Sequence, residues 1–387
     1  MGLLRLIFAS DSVGPLSLWD KFLLKVEFVP LLSMWWVVGF GVATLFFLVL
    51  AIVVRPRWWL LLFVPLTLLS IVLGVALSFN IHFHVYKTLG PALGLNPYDS
   101  GSADLISHPT GEYHRGVVVS TTIPGKAAGL GDLPAKVWLP PQYFTEKNRT
   151  FPVIVLLHGV PGVTVPGISK YSGPDSLFTQ VAADDGAQQA AIKKDQPTIL
   201  IAPVDSPMDA DTECVDGIQG KWQTYLAKDV PDWIAGHRRM QTGAEHTAIA
   251  GYSMGGYCAQ MTALRNPSVY SVSGNLSGAS AASHDRGPQA LWGNDNLVKR
   301  QAEYDSTVIV KTQPASHSVR LWLTIGESDH SEPGLIESQQ EFAQVARQQG
   351  MTVVQQTMPG DHTFAVWSKA MLQWLPWTIA QLYGQSP

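Results

Sequence analysis

The stretch Gly251-Tyr252-Ser253-Met254-Gly255-Gly256 sets a serine between glycines two positions away on either side. An apolar run, Thr247 to Ala250, precedes it, and a helical pattern from Gly255 to Arg265 follows. In a strand–turn–helix setting, G-x-S-x-G is the pattern of a nucleophile elbow, a sharp turn that strains the serine backbone and lifts its hydroxyl above a sheet. A serine hydroxyl is a weak nucleophile at its free pKa and needs a base within hydrogen-bond reach. Chains built on this elbow carry their functional residues in the order serine, acid, histidine. His362, in Pro359-Gly360-Asp361-His362-Thr363-Phe364 beyond the last candidate strand, suits the base.

The acid is expected after the preceding strand, in Leu321-Trp322-Leu323-Thr324-Ile325-Gly326-Glu327-Ser328-Asp329. Asp329 is the first choice, because a residue three beyond the glycine can turn back toward the histidine. Glu332 and Glu327 compete with it. The acid accepts the Nδ1 proton, fixes the tautomer and stabilises the imidazolium. The oxyanion formed by attack needs two backbone donors, one of them from the residue after the nucleophile, Met254. The other falls in Leu156-Leu157-His158-Gly159-Val160-Pro161-Gly162, where Pro161 has no N–H and Val160 is left. His158 reads as a buttress of that turn. With Tyr252 and Trp222 it is also a candidate for the substrate pocket, although a core position suits Trp222 equally well. Hydrolysis by such a set calls for no metal and no organic cofactor.

These residues need elements to carry them. Candidate strands are Val117 to Ile123, Lys136 to Leu139, Val153 to Leu157, Thr198 to Ala202, Thr247 to Ala250, Val319 to Ile325 and Thr352 to Thr357. Helical patterns fall at Lys221 to His237, Gly255 to Arg265 and Ile336 to Gln349. The alternation predicts an α/β fold, a mostly parallel sheet with helices on both faces.

The chain resembles the α/β-hydrolase esterases that include esterase D, the feruloyl esterases and the mycolyltransferases of the actinobacterial envelope. The resemblance rests on His158-Gly159, on Lys221-Trp222-Gln223-Thr224-Tyr225-Leu226 with Val230-Pro231-Asp232-Trp233, on Gly251 to Gly256, and on Gly360 to Phe364. It covers residues 115–380 and implies the α/β-hydrolase fold and an acyl-enzyme on Ser253. The mycolyltransferases carry a glutamate as the acid, which would favour Glu332, whereas the wider family commonly has an aspartate where Asp329 falls.

Ahead of this domain the composition changes. Of 387 residues only 14% are charged, and the shortfall is concentrated: Leu31 to Val54 and Trp58 to Ile81 contain no charged residue. Each run is long enough to cross a hydrocarbon core of about 30 Å. Arg55, Arg57, Trp58 and Trp59 between them read as a basic turn with interfacial aromatics. The expected division is an interfacial segment at 1–30, two transmembrane helices within 31–81 (about 31–54 and 58–81), a connector at 82–114 and the esterase domain at 115–387. The positive-inside bias puts the Arg turn in the cytoplasm and the large domain outside, as a multi-pass protein of the cell membrane. Its partners would then be the membrane and an ester, lipid-linked or an envelope glycolipid.

With a net charge of −4 and no basic cluster, nucleic acid is not an expected partner. Cys214 and Cys258 could form one bridge if the domain faces an oxidising compartment. The acidic stretch Asp205 to Asp216 lacks a calcium-loop pattern and reads as a solvated loop. Two other functions stay open: transfer of the acyl group to a sugar or lipid alcohol, and a non-catalytic binding domain on an anchor.

Overall fold

The computed structural model describes residues 29–55, 57–83, 89, 99–160, 190, 194–207 and 210–385. Nearly all of the expected interfacial segment lies outside these residues, as do most of the connector between 84 and 98, Pro161 and Gly162. The chain forms two compact units, Met1–Pro97 and Tyr98–Pro387.

The first unit holds helices α1 (Met34–Val53) and α2 (Leu60–Phe83). Ser33 caps α1, its hydroxyl accepting the Trp35 N–H. At about 1.5 Å per residue each helix reaches roughly 30 Å or more, and both are long and apolar enough to cross a membrane. Their leucines, valines and phenylalanines point outward, with Leu61 83% exposed. The hydroxyls of Thr44 and Ser70 stand 2.9 Å apart between the two helices, and each is also 2.8 Å from a carbonyl oxygen of its own helix. Pro65 sits within α2 without ending it.

The second unit is built on nine strands: β1 (Asp99–Gly101), β2 (Val117–Gly125), β3 (Gly131–Leu139), β4 (Val153–Leu157), β5 (Ile199–Pro203), β8 (Thr247–Tyr252), β9 (Val272–Leu276), β10 (Arg320–Gly326) and β11 (Val353–Met358). Between β5 and β8 a two-residue hairpin, β6 (Asp216–Gly217) with β7 (Gly220–Lys221), stands apart. The sheet order is β1-β2-β3-β5-β4-β8-β9-β10-β11. The pairs β2/β3 and β3/β5 are antiparallel and the others parallel. Central strands β4 and β5 are apolar throughout and buried on both faces, as a sheet covered by helices requires.

Helix α3 (Met254–Arg265) leaves the end of β8, α4 (Leu335–Gln348) links β10 to β11, and α5 (Phe364–Leu382) returns after β11. Two apolar cores lie on opposite faces of the sheet. One gathers Val155, Ile201 and Phe342; the other gathers Leu156, Leu200 and Trp374. Strand β9 was not among the expected ones. Its Gly274 lies under the Trp374 indole, where a Cβ would come 2.6 Å from Nε1. The segment expected as one helix from Lys221 to His237 runs from Trp222 to Ala235, with a wide π turn over Tyr225–Asp229. The Asp229 carboxylate there accepts the amides of Ala127 and Ala128, closing the β2–β3 turn.

Candidate active site

β8, β10 and β11 are parallel members of one sheet, so their carboxyl ends lie at the same edge, where open α/β sheets bind ligands. The three residues in question follow those ends. Ser253 comes directly after β8 with φ 56° and ψ −130°, a strained backbone for a residue with a side chain. A Cβ on Gly251 would collide with the Gly255 carbonyl, and one on Gly255 with that of His158. The elbow therefore closes only with glycine at both positions. The Ser253 amide donates to the Leu276 carbonyl of β9 at 2.8 Å, and its own carbonyl accepts from Gly256 and Tyr257. Met254 opens α3, and its N–H has no acceptor within the helix.

Beyond β10 the Asp329 amide donates to the Gly326 carbonyl at 3.2 Å, so the chain doubles back over three residues. His362 stands on the loop after β11. Its Nε2 lies 2.9 Å from Ser253 Oγ, and its Nδ1 lies 3.0 and 2.9 Å from the two carboxylate oxygens of Asp329. An ionised carboxylate only accepts, so Nδ1 carries the proton and Nε2 is left to accept from the serine hydroxyl. The imidazole also meets Trp367 edge to face at 4.9 Å.

Asp329 is 1% exposed. Burial alone would raise its carboxyl, but hydrogen bonds from His362 and Ser331, with the His362 charge, outweigh that and hold it below the ordinary carboxylate range. Ser331 was not anticipated. Its hydroxyl donates to Asp329 Oδ1 at 2.7 Å and stands 3.0 Å from His362 Nδ1. The competing carboxylates are occupied elsewhere: Glu332 accepts from Ser283 Oγ at 2.9 Å, and Glu327 is exposed.

Val160 follows the His158-Gly159 turn at the end of β4, the strand beside β8. A Cβ on Gly159 would lie 2.9 Å from Ser253 Cβ, so this turn presses against Ser253 and admits only glycine. The three candidate pocket residues are buried. Tyr252 stacks on Trp367 at 4.6 Å, and Trp222 donates its indole N–H to the Gln219 carbonyl within the core. His158 sits beneath its own turn, 2% exposed, with Nε2 2.8 Å from Asp205 Oδ1. The acidic stretch is not a solvated loop, since Asp205 is 0% and Glu213 4% exposed. Within it Cys214 is bridged to Cys258 on α3.

Residues 130–378 match the esterase family model, described as "Putative esterase". The chain belongs to this esterase family. An uncharacterized protein of Corynebacterium glutamicum is 24% identical over 362 residues, covering 88% of this chain and 81% of that protein. The diacylglycerol acyltransferase/mycolyltransferase Ag85B of Mycobacterium avium is 28% identical over 130 residues, 30% of this chain and 38% of that protein. Among solved structures, the fluorophosphonate-binding serine hydrolase F of Staphylococcus aureus superposes with a TM-score of 0.54 at 19% identity, over 70% of this chain and 99% of that one. The fold of the second unit is thus that of the α/β-hydrolases, and this esterase-family chain is an esterase or an acyltransferase.

Proposed function

We propose that the chain is a serine esterase tethered to a membrane, acting on carboxylic esters outside the cytoplasm. The observation that carries the reading is the unbroken run of contacts from Ser253 Oγ through His362 to Asp329. Oγ attacks the ester carbonyl carbon while His362 Nε2 takes the hydroxyl proton, and the oxyanion is held by the N–H groups of Met254 and Val160. The C–O bond to the alcohol breaks as Nε2 returns the proton to the leaving oxygen. Water then repeats the sequence on the acyl-enzyme, releasing the acid and restoring the serine. Asp329 keeps the imidazole in the productive tautomer and offsets its transient positive charge.

Two observations support the compartment. The basic turn Arg55 to Arg57 between the two apolar helices favours a cytoplasmic turn and external ends. The Cys214–Cys258 bridge suits an oxidising exterior. Tethering favours esters presented at the membrane or envelope. Similarity to part of a mycolyltransferase supports a second reading, in which an alcohol of a sugar or lipid replaces water in the second step.

Labelling by a fluorophosphonate probe, with hydrolysis of short p-nitrophenyl esters, tests the reading. Wild type should label and turn over, and Ser253→Ala should do neither. Folded wild-type protein that neither labels nor hydrolyses would overturn the reading. Product analysis with added sugar or lipid acceptors separates hydrolysis from transfer.

A further inference from the structure

The proposed mechanism asks two peptide N–H groups to face the oxyanion, and they are not equally secured. The Met254 amide is aimed by α3. The Val160 amide belongs to a turn at the end of a strand, and a rotation of one peptide plane would turn it away. Beneath that peptide lies a buried histidine–aspartate pair that the reaction steps leave unused.

The geometry points to His158 and Asp205 as positioning residues that hold the Gly159–Val160 peptide with its N–H turned toward the reacting oxygen. His158 Nδ1 is 2.8 Å from the Gly159 carbonyl oxygen. A carbonyl only accepts, so Nδ1 carries a proton and draws that oxygen toward the imidazole. In a trans peptide the C=O and the following N–H point in opposite directions. Fixing the Gly159 oxygen against His158 therefore sends the Val160 N–H away from the ring. Gly159 itself presses on Ser253, which sets this peptide beside the nucleophile.

Asp205 fixes the ring in turn. Its carboxylate is fully buried, and the contact with His158 Nε2 at 2.8 Å is its one close approach to a cationic group among the described residues. The carboxylate approaches the ring at Nε2, which leaves Nδ1 to donate to the Gly159 carbonyl. Strand pairing explains why the two meet: β4 and β5 run parallel, His158 follows the end of β4, and Asp205 comes two residues after β5. An unpaired buried charge at this depth would cost several kcal/mol, so removing one partner alone tests folding rather than positioning.

The inference rests on the esterase reading, and its test uses the full-length chain in detergent with a p-nitrophenyl ester in an Asp205→Asn background, which removes the charge. In that background His158→Asn keeps an amide donor at the δ position, within reach of the Gly159 carbonyl. His158→Gln instead places its amide at the ε position, toward residue 205. The expected result is kcat within about tenfold of the Asp205→Asn parent for the asparagine variant. For the glutamine variant kcat should fall about 100-fold with KM changed less than threefold, the scale of losing one oxyanion donor. If the glutamine variant does not fold, His158→Leu in the same background takes its place, with the same loss expected. Equal kcat for the donor-keeping and donor-lacking variants overturns the inference, as does an asparagine variant as impaired as the other. Wild type that hydrolyses the ester while these variants match one another sinks the positioning role alone. Inactive, unlabelled wild type sinks the esterase reading beneath it.

Discussion

Gly326, the last residue of β10, lies against Gly360 on the loop after β11, so close that a Cβ on it would stand 2.6 Å from the Gly360 carbonyl oxygen. The Ser328 amide donates to that same oxygen at 3.0 Å. The loop holding Asp329 and the loop holding His362 are therefore joined backbone to backbone before their side chains meet. Gly326→Ala should force the loops apart. Backbone atoms cannot rotate away as a flexible side chain can, and a shift of about 1 Å is enough to cost 100-fold in rate. We expect kcat to fall at least tenfold, read by steady-state ester hydrolysis, with the cooperative melt retained.

The Ser331 hydroxyl is predicted to matter through Asp329. Its folded carboxyl lies below the ordinary value of about 3.9, so the unfolded chain takes up the proton first as the solution is acidified. The stability this lends is present above the ordinary value and is lost as pH falls through the folded one. Ser331→Ala removes one donor and should move that loss to higher pH, seen in urea midpoints measured from pH 6 down to 3. Activity near neutrality should fall about tenfold, as suits one charge-assisted hydrogen bond. Asp329→Asn should fall by about 10³–10⁴-fold. A Ser331→Ala enzyme matching wild type in both measurements would remove that hydroxyl from the account.

Much of this site was legible in the sequence because chemistry and periodicity fix it together. Ser253, Asp329 and His362 each follow a run that folds as a strand, and parallel strands place their carboxyl ends side by side. Strand β9 was not legible. Val272-Ser273-Gly274-Asn275-Leu276 has little strand character, and its polar members are explained only by partners. Asn275, for example, donates to Gln260 Oε1 and the Gly278 carbonyl. Helix α5 was hidden by Pro376 in its interior. Ser331 and Asp205 depend on how loops fold back, which spacing does not encode. Asp205 had a faint signal, as the first carboxylate after an apolar strand in a sheet whose strand ends carry the site. The motif Trp222 to Trp233 carried family resemblance for structural reasons, with Trp222 and Tyr225 in the core and Asp229 closing a turn.

Glu213 offers a pH test of opposite sign. Burial, with the neighbouring charges of Asp211 and Glu332, pushes its carboxyl well above the ordinary carboxylate range. The folded chain thus holds a proton that the unfolded chain releases, and stability falls as pH rises from the ordinary carboxylate value to the folded one. Glu213→Gln carries a permanently neutral amide of the same shape and escapes that loss. Its Tm should exceed wild type by a few degrees at pH 7 to 8, with the gap closing toward pH 4. A gap that is constant with pH would mean Glu213 is not protonated in the fold.

The Cys214–Cys258 bridge ties the chain just before β6 to the first turns of α3, five residues past Ser253. It closes a loop of 44 residues in sequence separation. On chain-entropy grounds a loop of that length lends about 4 kcal/mol by restricting the unfolded state. For a domain of this size that corresponds to roughly 5–10 °C in Tm. The Cys214→Ser/Cys258→Ser pair should melt lower by that amount, and a reductant should lower wild type but not the double variant. Activity should fall less than stability, because the elbow is closed by its own glycines and by the Ser253 amide on β9 rather than by the bridge. A variant that keeps its Tm but loses kcat would instead place the bridge in the positioning of Ser253.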